Sequence, residues 1–209
     1  MMSPVASSAG LRRRARRLAV RLLKDRRGVA AIEFAFIAPI LLVLFFGTVE
    51  ITGAIAIKRR VTTTARALSD LTAQAAVVND ADFANFFAAS SGIMMPYSAT
   101  PITMTVSLLY VDPSSGQVRV EWMKGYNATA LAPGTPVSVP SGLISRDANN
   151  KVLPNQYLIY SHVTYLYTNA TLVVLRSGVT LSDSAYARPR QTTCVFYPSV
   201  PSPNVCPTS

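Results

Sequence analysis

Two cysteines, one histidine and one tryptophan are all that this 209-residue chain holds of those types. Each shortage excludes a class of chemistry. A zinc site needs about four nitrogen or sulfur ligands, and Cys194, Cys206 and His162 together offer too few. His162 stands between Ser161 and Val163 in an apolar, aromatic run, the setting of a packed or surface histidine rather than of a general base. Acidic residues number 10 against 20 basic ones, and Asp112, Asp147 and Asp183 show no paired spacing. Neither a glycine-rich phosphate loop nor a nucleophile elbow is present. The expectation is therefore no catalytic residue, no metal, no cofactor and no enzymatic activity. A secreted enzyme whose site is assembled from distant residues is the remotest alternative.

The charge is as uneven as the composition. Residues 1–28 hold nine basic side chains (Arg12, Arg13, Arg14, Arg16, Arg17, Arg21, Lys24, Arg26 and Arg27) against Asp25, a net +8 of the whole chain's +10. The high pI thus belongs to a leader rather than to a folded surface. A basic patch can mark a nucleic-acid binder, but this one abuts a long apolar run, so a cytoplasmic membrane anchor is the simpler reading and no nucleic acid is expected.

From Val29 to Ile57 the only charges are Glu33 and Glu50, and Phe34 to Val49 carries none. At ~1.5 Å per helical residue, 29 residues reach roughly 44 Å, more than the ~30 Å hydrocarbon core of a bilayer. A buried core helix keeps a polar stripe; this segment is apolar all round. It reads as a transmembrane helix over 29–57. The basic leader outweighs Lys58, Arg59, Arg60 and Arg66 beyond it, which places the N-terminus in the cytoplasm and everything after Ile57 on the far side. Pro39 removes a helical hydrogen bond and should loosen the helix. The residues themselves leave two fates open to the leader: a cut after Ala54-Ile55-Ala56 by ordinary signal peptidase, or an uncleaved signal anchor. Secretory apolar regions run ~7–15 residues, far shorter than this one, which argues against the first.

Arg26-Arg27-Gly28-Val29-Ala30-Ala31-Ile32-Glu33-Phe34 resembles the processing site of type IV prepilins: basic leader, glycine, short apolar stretch, glutamate, aromatic, long apolar helix. Over residues 26–42, and again at Phe46-Gly47-Thr48-Val49-Glu50-Ile51, the chain is similar to the TadE-like family, minor pseudopilins of the bacterial Tad (Flp, tight-adherence) pilus system. The similarity runs from about Asp25 to Asp70, and Ala187-Arg188-Pro189-Arg190 resembles a stretch near the family's C-terminus. The resemblance implies a prepilin peptidase cutting between Gly28 and Val29. It implies that Glu33, followed by Phe34, pairs with the freed amine of Val29 during assembly. It also implies a single-pass inner-membrane protein whose C-terminal domain is periplasmic, with other Tad pilus subunits as partners in adhesion, surface attachment or secretion. The alternative is a membrane-anchored extracytoplasmic binding module that uses residues 29–57 only as an anchor.

Beyond the membrane the pattern predicts an α+β architecture: the transmembrane helix continues into a helical neck over 58–90, followed by one mainly antiparallel β domain over 91–209. Val61, Ala65, Leu68, Ala75 and Val78 follow the helical period up to Val78. Asp80 reads as the N-cap of a second short helix with Phe83, Phe86 and Phe87 inward, ended by Gly92 and Pro96. From Ile102 the period becomes two. Ile102, Met104, Val106, Leu108 and Tyr110, the turn 112–116, then Val118, Val120 and Trp122 predict a β-hairpin with one wet face. Residues 125–154 read as loop, Tyr157–Tyr167 as a central strand and Thr171–Leu175 as a further strand. An extracytoplasmic location makes a Cys194–Cys206 disulfide the expected state, closing a proline-rich loop worth at most roughly 3 kcal/mol; two free thiols are the alternative.

Overall fold

A computed structural model describes Val20 and residues 28–168 and 178–199. The chain divides into two compact units, Met1–Val49 and Glu50–Ser209. One helix, α1 (Val29–Ala73), runs through the boundary, and α2 (Asp80–Gly92) follows. Five strands come next among the described residues: β1 (Ile102–Val111), β2 (Val118–Tyr126), β3 (Pro136–Val137), β4 (Gln156–Tyr167) and β5 (Val179–Ala187). They form one antiparallel sheet in the order β3-β2-β1-β4-β5, an α+β architecture of the expected kind. Within the described part of the first unit, α1 is exposed at nearly every position.

The second unit begins with the C-terminal part of α1, and there the helix changes character. Ile57, Val61, Ala65 and Leu68 recur at helical spacing and are buried in the main core. α1 stops at Ala73, five residues before the predicted Val78. Val78 is buried all the same, because its N–H bonds the Phe196 carbonyl at 2.9 Å in a short parallel bridge. The cap of α2 is Asn79 and not Asp80. The Asn79 side chain accepts from the N–H groups of Ala81 and Asp82, and Asp82 reaches back to the Asn79 N–H at 2.9 Å, a reciprocal capping box. Phe83 and Phe87 point into the core and Phe86 packs against it.

β4 is an inner strand beside the central β1, as the two-sided apolarity of Tyr157–Tyr167 predicts. The hairpin departs from simple alternation. Leu108 pairs with Trp122 but Leu109 pairs with Val120, so Glu121 is an extra residue on β2. This β-bulge turns the strand over. Trp122 enters the main core, while Val118 and Val120 face the other side and join Leu109, Val111, Val152 and Leu158 in a second core. The expected wet face is thus dry at one end. Residues from the 125–154 stretch cover it, with Val137, Val139, Leu143 and Ile144 packed there around β3 and a 3-10 turn at Ser141–Leu143. Gly125 permits the chain to fold back at that point: a Cβ there would lie 2.2 Å from the Ala128 carbonyl oxygen. β5 was not legible as a strand, and the predicted strand Thr171–Leu175 lies outside the described residues.

Candidate functional site: the apolar helix and the domain built on it

α1 starts at Val29, directly after Gly28, the position where the basic leader meets the apolar run. Glu33 is four residues on. In a helix the Cα–Cβ bonds tilt toward the N-terminus, so a side chain at i+4 lies over residue i. Glu33 therefore lies above Val29 on one face, and both are exposed, as is Phe34. The following apolar side chains are exposed around the full circumference, Phe36 to 74% and Leu44 to 61%. Such a surface is costly in water and at home in lipid. α1 is long and apolar enough to cross a membrane once.

The first residues of the second unit are set apart by their packing. Glu50 is 1% exposed, and its backbone carbonyl accepts a hydrogen bond from the Tyr167 hydroxyl at 3.4 Å. Gly53 lets β4 come this close, since a Cβ there would meet the Tyr167 hydroxyl at 2.8 Å. Further along α1, Lys58 pairs with Asp183 of β5 at 3.1 Å, and Thr62 donates to the same carboxylate. The Thr62 hydrogen bond first, and Lys58 with it, hold the Asp183 carboxyl below the usual carboxylate range. Arg60 donates to the Ile93 carbonyl at 2.7 Å and lies 5.7 Å from the centre of the Tyr97 ring, a cation–π contact. Ser161 of β4 donates to the Ala65 carbonyl at 2.6 Å. α1 is thus bound to the sheet by polar contacts as well as by its apolar stripe.

The C-terminal segment closes the other end of the core. Trp122 donates its indole N–H to the Val195 carbonyl at 2.9 Å, and Phe83, Trp122 and Tyr197 form a cluster of edge-to-face rings. Tyr197 and Lys124 both donate to Asp80, at 2.7 and 2.5 Å. The Lys124 bond is the larger cause of the lowered Asp80 pKa, and Asp80 in turn raises that of Lys124. Cys194 is buried and disulfide-bonded, while Cys206 lies outside the described residues. Arg190, from the Ala-Arg-Pro-Arg stretch, pairs with Asp70 of α1 and donates its backbone N–H to Ala73 at 2.9 Å.

His162 sits half-buried on the outer face of β4, with Nδ1 3.1 Å from the Ser184 hydroxyl and its ring stacked on Tyr160. Asp112 is committed to its turn. Its carboxylate accepts from Ser114 and Ser115, and the Ser114 side-chain bond leads the causes that bring its pKa down to about 2. Tyr157 is pushed up to about 12, chiefly by burial and then by the charge of Glu121. Among the described residues no group of three or more His, Cys, Asp or Glu is placed to hold a metal ion.

The family model described as TadE-like protein matches residues 28–69, roughly a fifth of the chain. The match begins at Gly28 and covers most of α1, including the portion that packs on the sheet. No curated protein and no solved structure matches the chain.

Proposed function

The segment 28–69 is TadE-like, and from that premise we propose that this protein is a minor pseudopilin: a non-enzymatic, single-pass inner-membrane subunit that serves assembly of a Tad-type pilus. One observation carries the reading. The helix, the family match and the all-round apolar surface start together at the Gly28–Val29 junction, the point at which a prepilin peptidase would cut. The leader lies in the cytoplasm and the second unit in the periplasm, in keeping with the charge asymmetry. In that oxidising compartment Cys194 pairs with Cys206.

Once cut, the chain carries an ammonium on Val29 one helical turn below the Glu33 carboxylate. Each charge alone is expensive in lipid, and pairing relieves both. Within one subunit or between neighbours, the pair fixes the axial position of the helix. Phe34 presents an aromatic ring beside it for helix–helix packing. The test is Glu33→Ala in the native host. The leader is still removed, because the peptidase reads the Gly28–Val29 junction, but pilus assembly falls. Normal numbers of pili in that mutant would refute the role of Glu33. A sequence-scrambled 29–57 of equal hydrophobicity that still supported pili would leave only an anchored binding module.

A further inference from the structure

One end of the second unit combines exposed apolar side chains, tyrosines and cations at the level where α1 should leave the bilayer. Counted from Val29 at ~1.5 Å per residue, ~30 Å of hydrocarbon is used up by about Glu50, where this unit begins. Three pieces stand together along the next stretch of α1, from Glu50 to Arg60. The first is α1 itself, with Ile51 and Ile55 exposed and Arg59 one turn further along the same stripe. The second is the end of β4, where Leu166 is 47% exposed and the Tyr167 hydroxyl reaches the Glu50 carbonyl. The third is the loop after α2. It is fixed to α1 by Arg60, through Ile93 and Tyr97, and to β4 by the bond from Leu166 N–H to the Pro101 carbonyl at 3.4 Å. In that loop Met95 is 72% exposed.

We propose that this end is a membrane-surface collar: the domain rests directly on the outer leaflet of the bilayer crossed by α1, with Met95 and Leu166 dipping into the interface. The occupant is a lipid surface for two reasons. The collar is continuous with the exposed apolar stripe of α1, and its chemistry is that of an interfacial belt, where tyrosines sit at headgroup depth and basic side chains snorkel to phosphates. Arg59 makes no ion pair among the described residues, while the neighbouring carboxylates are engaged: Asp183 holds Lys58 and Thr62, and Glu50 is buried. The exposed charge is therefore positive and attracts anionic headgroups. A domain held at its base in this way has a fixed orientation to the membrane plane, which an exposed neck would not give it.

The proposal rests on α1 spanning the bilayer, so its test reports on both. Full-length protein carrying a spin label at Met95→Cys, Leu166→Cys or, as control, Ser114→Cys is reconstituted into phosphatidylethanolamine–phosphatidylglycerol vesicles. Ser114 lies in the turn at the opposite end of β1. Labels at 95 and 166 should collide with lipid-dissolved oxygen several-fold more, relative to a water-soluble nickel chelate, than the label at 114. Equal ratios at all three sites, in protein that floats with the vesicles, would overturn the collar and leave the span intact. Failure to float would overturn the span, the pilus reading and the collar together. Arg59→Gln should abolish the deepening of the 95 label that phosphatidylglycerol gives over pure phosphatidylcholine; an unchanged response would remove Arg59 from the collar.

Discussion

The two parts of α1 belong to one continuous helix and meet opposite surroundings. From Val29 to Val49 nearly every side chain is exposed, and the apolar ones circle the helix; from Ile57 to Ala73 the large apolar residues fall on one stripe, and that stripe is buried. The difference lies in amount as well as arrangement: the first part carries one charge, Glu33, and the second, from Glu50 to Ala73, carries six charged residues and five threonines. Threonines and cations interleaved with Ile57, Val61, Ala65 and Leu68 leave the helix one face for a protein core and another for water. Without that interleaving the helix suits only a solvent as apolar as itself.

Mutations on either side of Glu50 should expose the contrast. The largest effect is expected for Leu68→Ala, which empties part of the core: about 2–5 kcal/mol of domain stability by denaturant titration in detergent. Leu42→Ala, in the exposed part, should leave that value unchanged, and equal losses would erase the distinction. Gly125→Ala forces a Cβ against the Ala128 carbonyl and should cost about 1–3 kcal/mol, with the second core near Val137 loosening first in hydrogen exchange. Smaller is the loss of the polar tie between α1 and β5. Asp183 is part exposed, so Asp183→Asn should cost no more than about 1 kcal/mol at neutral pH. Its folded pKa lies below the ordinary 3.8, so the contribution is present above that value and is lost as pH falls through the depressed one. Parent and variant should converge in stability in strong acid. Smallest of all is Asp112, whose carboxyl should titrate near pH 2 by NMR, with no consequence for the membrane segment.

Much of this was legible in the sequence because the signals were long. A run of 29 residues with two charges, and the seven alternating residues from Ile102 to Leu108, each leave little choice of structure. What the sequence hides is local. The β-bulge at Glu121 separates Val120 from Trp122 although both fit one alternating face, and no residue type announces it. β5 carries no clear strand pattern because its core-facing row includes Asp183, which is there to meet Lys58 and Thr62, a partnership made only in three dimensions. Asn79 and Asp80 are both good caps, and the box with Asp82 decides between them. At the candidate site, Gly28, Val29, Glu33 and Phe34 could be read from spacing and resemblance. The collar could not, since Met95, Leu166 and Arg59 are far apart in the chain.

The most direct measurement is the N-terminal residue and mass of the protein isolated from its native membrane. The account predicts a membrane-embedded chain that begins at Val29 and lacks the basic leader. A soluble chain beginning near Ile57, or an intact Met1 end, would contradict it.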